Sequence, residues 1–513
     1  MSKFLKGTLI LLAAGLITRV LGFINRIVLA RFIGAEGVGL YNMAFPTLIL
    51  VITITQFGLP VAISKSVAEA IALNDHKKVK KILVVSLSIT LFLSLLFTPA
   101  LIYFTPYLSE YFFTDSRVKW PLLVIAPVVP IIAVSSVLRG YFQGKQEMKP
   151  AAISQLLEQV VRISLIVLFT KLFLPYGIEY AAAGAMLAAV FGELASLIYI
   201  TFYFKLNQVF RVRKKFFTQL KSSSHIAKEL LSVAIPTLGS RMIGSVSWFF
   251  EPIVVSYALM LAGLKAAEAT AQYGVLTGFA LPLLMLPSFI TLSLSTALVP
   301  AISEAYSLKN YEQINHRLNQ SMRLTFITGG LAISLLFILA EPLMTLMYGT
   351  NDGTLFVQLM APLFLFAYCQ GPLQSVLQAL NLAKAAMVNS LIGAVAKLSI
   401  IFGLASQATF GINGVAIGLI TSTVLVTFLH YFSIQKVIDF KLEIVSYIKN
   451  ILLIGLVSFI GFEVLSLLTH FSYFVQILIV SAIMSMVYMI GIFLLKLMKK
   501  EEIQKIPFIN KFI

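Results

Sequence analysis

Two arginines lie inside long hydrophobic segments, where a charged side chain is energetically unfavourable. Arg19 falls within Leu9–Leu29, and Arg241 falls within Val233–Leu261. Placing a guanidinium in hydrocarbon costs about 2.5–3.5 kcal/mol or more, so such residues usually face a polar cavity or a partner. The chemistry that suits two such cations is the binding of an anion.

Arg19 belongs to a stripe along one face of a predicted helix. Gly15, Arg19, Gly22 and Arg26 are spaced by 4, 3 and 4 residues, which places them on one side of a helix. The glycines allow either a ligand to approach the backbone or another helix to pack closely. Arg26 can alternatively extend to the outer membrane boundary.

A similar stripe surrounds Arg241. The members of this stripe, spaced by 3, 4 and 3 residues, are Arg241, Gly244, Trp248 and Glu251. Glu251 is a candidate charge partner for an arginine, or a carrier of a proton or cation. Pro252 follows it and is expected to bend or loosen the helix. Nearer the outer boundary, Arg31 is expected to pair with Glu36.

Three further segments carry ionisable residues in apolar surroundings. Glu158 and Arg162 are four residues apart and can neutralise each other on one helix. Lys397 has no acidic residue within a turn, which favours it as a cation of the cavity. Glu193 is expected to pair with one of these cations. Candidate anion-binding residues are therefore Arg19, Arg26, Arg241, Lys397 and Arg162, and candidate charge partners or ion-coupling groups are Glu251, Glu158 and Glu193.

The composition is that of a polytopic membrane protein. Of 513 residues, 59% are hydrophobic and 12% are charged. Segments of about 20 apolar residues recur along the chain, and in lipid such segments must be helices. We therefore predict an all-α protein with about fourteen transmembrane helices. Their predicted centres are near residues 20, 50, 93, 130, 163, 192, 244, 285, 333, 365, 395, 425, 456 and 485.

The net charge of +18 indicates topology rather than nucleic-acid binding. Basic residues are concentrated in alternate connections, for example at Lys77, Lys78, Lys80 and Lys81, whereas the intervening connections hold few. This alternation predicts a multi-pass protein of the cell membrane with both termini in the cytoplasm. Some affinity for anionic membrane lipids also follows. The first apolar segment is expected to stay as an uncleaved span.

The chain contains an internal duplication. Ser136–Met148 aligns without a gap with Ser375–Met387, and shorter matches relate Ser64 to Ser303, Gly177 to Gly411 and Arg19 to Arg241. The offsets run from 222 residues (Arg19 to Arg241) to 239 residues (Ser136 to Ser375). Because each repeat contains six predicted spans, the two copies insert with the same orientation. We therefore predict pseudo-symmetric six-helix lobes at 1–228, which ends in a basic cytoplasmic linker, and at 229–440, with two additional helices and a tail at 441–513.

Several chemistries find no support in the sequence. The five histidines are scattered, and no glycine-rich loop precedes a Lys-Ser/Thr pair, so neither a metal site nor ATP hydrolysis is expected. Cys369 is the single cysteine, which excludes an internal disulfide. No nucleophile and base stand together. We expect no cofactor and no enzymatic activity.

Buried cations in a bilobed helical protein favour movement of a negatively charged amphiphile by alternating access. The alternative is a cation-coupled exporter of drugs or organic cations. Such an exporter requires acidic and aromatic lining, and the carboxylates Glu158, Glu193 and Glu251 keep this alternative open. A membrane potential, a sodium gradient and a proton gradient are each compatible with these residues as the energy source.

Several sequence stretches resemble a known family. Thr18-Arg-Val-Leu-Gly-Phe23 and Ala30-Arg-Phe-Ile-Gly-Ala-Glu-Gly-Val-Gly-Leu-Tyr41 are similar to the polysaccharide-export and lipid II flippase branch of the MOP exporter superfamily. The stretches Gln56–Lys65, Leu138–Gln146 and Gly239–Val255 extend the likeness. The resemblance implies a fourteen-helix flippase for a polyprenyl-pyrophosphate-linked sugar. It also implies a role in spore cortex peptidoglycan synthesis, with cell-wall synthesis proteins as candidate partners.

The resemblance carries over to the site residues unevenly. Arg19 matches the arginine of the family's first helix. A second arginine of the branch aligns with Asn25, next to Arg26. The branch also has an arginine in the eighth helix, whereas the comparable stretch Gln272–Thr277 has none. Arg241 is a candidate to replace it from the neighbouring helix.

Overall fold

The computed structural model describes the backbone of residues 3–207, 224–440 and 443–498, with side chains there except those of residues 3–12 and Ser224. Within these ranges every regular element is a helix. Of the predicted basic linker, residues 208–223 lie outside the described residues, as does the tail from residue 499.

Eighteen α-helices make up the described chain. The first seven are α1 (Lys3–Gln56), α2 (Leu59–Ala72), α3 (His76–Tyr107), α4 (Lys119–Ile125), α5 (Val128–Gly144), α6 (Met148–Phe173) and α7 (Ile178–Leu206). The next six are α8 (Ser224–Leu261), α9 (Ala266–Gly274), α10 (Leu281–Met285), α11 (Ser288–Ser307), α12 (Tyr311–Ile338) and α13 (Ala340–Tyr348). The last five are α14 (Thr354–Ala379), α15 (Ala383–Ala405), α16 (Ile412–Ile438), α17 (Ile444–Leu467) and α18 (Tyr473–Leu494).

The membrane-spanning segments agree with the hydropathy of the sequence. Twelve described helices are long and apolar enough to cross a membrane, and a bent pair, Ser116–Ile125 with Val128–Gly144, makes a thirteenth. Helix α1 breaks at Gly34, where φ is 64° and ψ is −173°. Each of its two portions exceeds the length of about 20 residues that spans hydrocarbon. The prediction of an all-α polytopic membrane protein is confirmed, and about fourteen spans result when the portions of α1 are counted separately.

The spans expose apolar side chains, and several of their buried hydroxyls hydrogen bond the backbone of their own helix. Leu95, Ile198 and Leu467 have 71%, 61% and 77% of their surface exposed. The buried hydroxyls of Thr90 and Ser94 donate instead to carbonyls of the preceding turn of α3. These two hydroxyls therefore have hydrogen-bond partners within the span.

The order of helices in the first half of the chain recurs in the second. The break of α1 at Gly34 corresponds to the connection between α8 and α9. The short break between α1 and α2 corresponds to the short break between α10 and α11. Each half also contains a short helix followed by a long one, α4 with α5 and α13 with α14. This recurrence is the pattern that a duplication produces.

By its internal contacts the chain divides into two compact units. The first comprises Met1–Gly278 with Ala405–Ile412, and the second comprises Phe279–Leu404 with Asn413–Ile513. Helices α8 and α9 therefore belong to the first unit by contact, although the predicted duplication assigns them to the second lobe. The division into lobes at 228 and 440 stays a prediction about ancestry and topology.

Close helix packing in the first unit depends on glycines that contact another backbone. A Cβ at Gly274 of α9 would lie 2.0 Å from the Ala35 carbonyl oxygen, and one at Gly39 of α1 would lie 2.0 Å from that of Thr270. Small residues at such positions let helices approach in membranes, where lipid supplies no hydrophobic drive for association. The second portion of α1 and helix α9 thus meet backbone to backbone.

The last two helices dock onto α12 through buried polar groups of the second unit. Arg323 of α12 pairs with Glu443 at 2.7 Å. Asn450 of α17 donates to the Phe326 carbonyl at 2.8 Å, and the Tyr488 hydroxyl of α18 bonds both the Ile327 carbonyl and the Asn450 side-chain oxygen. These bonds, rather than apolar contact alone, hold α17 and α18 in place.

Candidate functional site

The stripe on the first portion of α1 faces open space. Arg19 and Arg26 are exposed. A Cβ built on Gly15 or Gly22 would meet no described atom within 4 Å, outside the helix's own nearby backbone. These glycines therefore do not mediate helix packing within the described chain. Of the two interpretations, the one in which they leave room beside the arginines agrees with the structure.

The Arg26 side chain reaches the segment that follows α9. Its guanidinium lies 3.5 Å from the Thr277 carbonyl oxygen, and the Thr277 hydroxyl accepts a hydrogen bond from Asn42 at 3.0 Å. Asn25, by contrast, is buried and only 7% exposed. Arg26 therefore occupies the open face of α1 that its neighbour Asn25 does not.

Arg241 lies on α8, next to the end of α1. Its guanidinium is exposed and lies 3.5 Å from the side-chain oxygen of Gln56. A Cβ added at Gly244 would meet no described atom within 4 Å, so the face beyond Arg241 is open as well. The first unit thus presents Arg19, Arg26 and Arg241, and none of the three forms an ion pair with a described carboxylate.

The remaining members of the α8 stripe are anchored to the same unit. Trp248 contacts Phe45 edge to face with ring centroids 6.0 Å apart. Glu251 is 5% exposed and interacts with other groups of the protein. Helix α8 continues through Pro236 and Pro252 without a break in helical structure. Glu251 is therefore held within the protein rather than facing the open side.

Four charged side chains meet between α5, α6 and α7. Arg162 pairs with Glu158, as the spacing of four residues predicted. Arg139 of α5 lies 3.5 Å from Glu158 and 3.3 Å from Glu193, and it donates to the Ser196 hydroxyl at 2.8 Å. The expected pairing of Glu193 with a cation is thus present. We call Arg139, Glu158, Arg162 and Glu193 the four-charge cluster.

Sequence reasoning did not single out Arg139 as a candidate site residue. In the structure it lies inside α5, which ends at Gly144, and 18% of its side chain is exposed. Arg139 lies about one and a half helical turns before the end of α5. This distance from the end of the apolar segment was the signal in the sequence that Arg139 belongs to the helix. Its true partners come from α6 and α7, and spacing along α5 could not reveal them.

Gly192 makes the four-charge cluster possible. A Cβ at this position of α7 would lie 2.8 Å from the Glu158 carbonyl oxygen and 3.2 Å from the Arg162 Cβ. The absence of a side chain lets α7 approach α6 closely enough for their ionisable groups to meet.

Lys397 lies on α15 in the second unit, where it is half-buried and interacts with other groups.

A second charged network lies in the connection between α3 and α4. Arg117 bonds Asp115 at 2.8 Å and Glu36 at 2.6 Å, and the Thr270 hydroxyl donates to Asp115 at 2.8 Å. Glu36, the expected partner of Arg31, forms an ion pair with Arg117 across helices, and its pairing with Arg31 stays a prediction. Burial raises the pKa of Asp115, but hydrogen bonds from Arg117 and Thr270 outweigh it and hold the pKa below its usual value of 3.8.

Replacing Asp115 with asparagine is expected to lower the free energy of unfolding by about 1–3 kcal/mol at neutral pH, since a hydrogen-bonded charged group is lost. The depressed pKa adds a pH dependence. Stability from Asp115 is present above its unfolded pKa and is lost as the pH falls through the lower folded value. Thermal unfolding of purified protein should therefore show an acid-side loss in the wild type that is reduced in Asp115→Asn. An unchanged acid-side slope would contradict the assignment.

No group of three or more possible metal ligands occurs among residues 3–207, 224–440 and 443–498. The site residues of the first unit therefore fall into two sets. Arg19, Arg26 and Arg241 are exposed and lack a carboxylate partner in the described chain, whereas Arg139 and Arg162 are neutralised. The first set is suited to binding an anion through bidentate hydrogen bonds.

Comparison with known proteins agrees with this fold. A family described as "Polysaccharide biosynthesis protein" matches residues 4–306, and the MatE family matches residues 252–403. Stage V sporulation protein B of Bacillus subtilis (strain 168) is 54% identical over 511 residues, covering 99% of both chains. Lipid II flippase MurJ of the same organism is 26% identical over 447 residues, covering 82% of this chain and 81% of the relative.

A solved structure extends the comparison to three dimensions. The structure described as "Lipid II flippase MurJ, inward closed conformation" matches with a TM-score of 0.68 and 18% identity, covering 93% of this chain and 97% of the other. At that identity the likeness concerns the fold. The family match over more than half of the chain and the sporulation-protein relative show that the chain belongs to the polysaccharide biosynthesis protein family.

Proposed function

We propose that the protein is a flippase that moves an anionic lipid-linked oligosaccharide of the lipid II class across the cell membrane by alternating access. The product would serve synthesis of spore cortex peptidoglycan. The names of two relatives support this proposal, since one is a sporulation protein and the other a lipid II flippase.

The observation that carries the proposal is the set of guanidiniums without counter-ions in the described chain. Arg19, Arg26 and Arg241 are exposed within segments that are otherwise apolar. Because an isolated charge in a membrane is unfavourable, cations at such positions indicate a substrate path. A pyrophosphate offers several acceptor oxygens and matches the planar donors of arginine.

Roles follow from this arrangement. Arg19, Arg26 and Arg241 bind the pyrophosphate, and the polyprenyl tail stays in lipid. Lys397 is a further candidate anion-binding residue. Arg26 reaches Thr277, at the end of the stretch where the branch carries its eighth-helix arginine. Arg26 and Arg241 are therefore both candidates to replace that arginine. Arg162 contributes less, because Glu158 neutralises it.

Topology completes the proposal. The alternation of basic connections places both termini in the cytoplasm, where lipid-linked precursors carry their head groups before translocation. Membrane lipids surround the exposed apolar faces of the spans. Proteins of cell-wall synthesis on the outer side are the proposed consumers of the product.

The decisive experiment is flipping of a fluorescent lipid II analogue in proteoliposomes that contain the purified full-length protein. Loss of fluorescence to a membrane-impermeant quencher measures the fraction that reaches the outer leaflet. We expect faster equilibration than in protein-free vesicles, and no effect on a zwitterionic lipid with the same fluorophore. Efflux of an organic cation driven by an ion gradient, without lipid flipping, would instead identify a drug exporter.

A further inference from the structure

A cavity with an apolar lining lies in the first unit, formed by residues outside the two arginine stripes. Its volume is about 370 Å³. The lining comes from the connection after α1, from α3 and from α8, and consists of Phe57, Ser88, Ile89, Phe92, Leu93 and Leu231. The Ser88 hydroxyl donates to the Val84 carbonyl of its own helix at 2.8 Å, so its proton is already used. Such a cavity suits an apolar ligand.

The cavity lies at a depth where lipid chains surround the protein. Ser88 and Leu93 follow Lys81, the last of the basic residues at the start of α3, by 7 and 12 residues. At 1.5 Å per residue these positions are about 10 and 18 Å from the predicted cytoplasmic end, within a hydrocarbon core of about 30 Å. Phe92 of the lining has 68% of its surface exposed. A lipid chain of the cytoplasmic leaflet can therefore enter the cavity from the side.

The walls of the cavity are held in place by the core of the first unit. Phe57 and Ile89 pack against buried residues of that core, among them Leu230 of α8. Nearer the starts of both helices, Lys78 of α3 forms an ion pair with Glu229 of α8 at 2.9 Å. The two helices are therefore fixed on either side of a preformed cavity.

The backbone at Phe57 has a conformation that an aromatic residue rarely adopts. Its φ is 52°, and Gly58 after it has a φ of 67°. A left-handed φ is costly for a bulky side chain, and such strain persists where the surroundings impose it, often at ligand sites. The corresponding break of the second half lacks this feature, since φ is −54° at Leu286 and −66° at Pro287. The repeated fold therefore does not require the strained conformation, which places Phe57 in the cavity wall.

The same break connects the cavity to the exposed arginine of α8. Gln56, directly before Phe57, lies 3.5 Å from the Arg241 guanidinium. Gly58, directly after it, packs so closely on α8 that a Cβ would lie 2.4 Å from the Ala234 carbonyl oxygen. The cavity-lining residue of α8 lies ten residues before the arginine, about 15 Å along the helix axis. One amphiphile can therefore place an anionic head at Arg241 and an apolar chain in the cavity.

We propose that the cavity binds the isoprene units nearest the head group of the substrate while Arg241 binds the pyrophosphate, an assignment that rests on the proposed flippase function. At about 370 Å³ the cavity is too small for a whole polyprenyl chain, so the remaining units stay in lipid. Because lipid is as apolar as the cavity, affinity comes from packing against fixed walls and from the neighbouring cation. A phospholipid is the weaker ligand, since its single phosphodiester brings less charge to Arg241.

The first test is photo-crosslinking with a polyprenyl pyrophosphate that carries a diazirine on the isoprene unit nearest its head group. The purified full-length protein in nanodiscs of zwitterionic lipid is irradiated with this probe, and labelled peptides are identified by mass spectrometry. We expect label at residues 88–93 of α3 or at Leu231. Excess unlabelled polyprenyl pyrophosphate should remove it, and excess phosphatidylglycerol should not. Equal competition by phosphatidylglycerol, or label confined to other helices, would overturn the proposal.

Variants that fill the cavity provide a second test. Ser88→Trp and Leu231→Trp introduce a large ring from two different helices, so each should lower the cavity label several-fold. The matched control is Leu95→Trp, which adds the same ring to α3 at a position that is 71% exposed and outside the cavity lining. Its labelling should equal that of the wild type. Thermal unfolding identifies the folded variants, and wild-type labelling of a folded cavity variant would overturn the proposal.

Flipping of the fluorescent lipid II analogue separates this site from the function on which it rests. Ser88→Trp should slow flipping several-fold relative to Leu95→Trp. Equal flipping rates in these two variants would overturn the role of the cavity in transport. Specific labelling of the cavity in a wild-type protein that flips no lipid would keep the chain-binding site and reject the flippase function.

Discussion

Replacing Arg19 with alanine is expected to reduce flipping of the lipid II analogue by about ten- to a hundredfold. Hydrogen bonds to a charged group contribute about 1.5–3 kcal/mol, and 1.4 kcal/mol corresponds to a factor of ten. Arg19 is exposed on the open side of α1, between two glycines that contact no other described helix. Its loss should therefore remove substrate binding with little effect on folding.

The matched control for this variant is Arg317→Ala. Arg317 is an exposed arginine in the first turns of α12, outside both arginine stripes. We expect it to flip lipid at the wild-type rate. Arg19→Lys, which keeps the charge but loses the planar donors, should fall between wild type and alanine. Full activity of Arg19→Ala would reject the central role of this residue, even if the protein proved to be a flippase.

Replacing Gly274 with alanine is expected to lower the free energy of unfolding by about 3 kcal/mol, the upper end of the range for overpacking a buried contact. The added Cβ would lie 2.0 Å from the Ala35 carbonyl oxygen and 2.6 Å from the Gly39 nitrogen. Both contacts are with backbone atoms, which cannot rotate away as a side chain can. Helices α1 and α9 must separate, and thermal unfolding in detergent should begin at a lower temperature.

Gly455→Ala supplies the comparison for Gly274→Ala. Gly455 lies in α17 and would place a Cβ where no described atom is within 4 Å. Alanine is a better helix former than glycine by about 0.8–1.0 kcal/mol, so stability should be unchanged or slightly higher. If both variants unfold like the wild type, the backbone contact between α1 and α9 is not a determinant of stability.

The positions of the spans could be predicted from sequence because they depend on local hydrophobicity. The predicted centres near residues 20 and 50 both fall in α1, whose break at Gly34 separates them. The pair of Glu158 and Arg162 could be predicted for the same reason, since a spacing of four residues fixes neighbours on one helix.

Contacts between helices could not be predicted in this way. Glu36 pairs with Arg117, which is far from it in sequence, although Arg31 is the nearer cation along the chain. Whether α1 contacts the connection before α4 depends on how each helix is rotated about its axis and on its position along the membrane normal. The hydrophobic periodicity of the sequence specifies neither quantity. The glycines show the same limit. Gly22 faces open space while Gly39 contacts the backbone of Thr270, and the sequence presents both simply as glycine in an apolar helix.

The docking of α17 and α18 onto α12 has a consequence for how the chain is made. Arg323 is synthesised before its partner Glu443, which lies 120 residues further along the chain, and before Tyr488. Until then α12 carries a guanidinium without that carboxylate, which is unfavourable within a membrane. A chain truncated before residue 443 is accordingly expected to be less stable than the full-length protein, so the last helix pair completes the charge balance of α12.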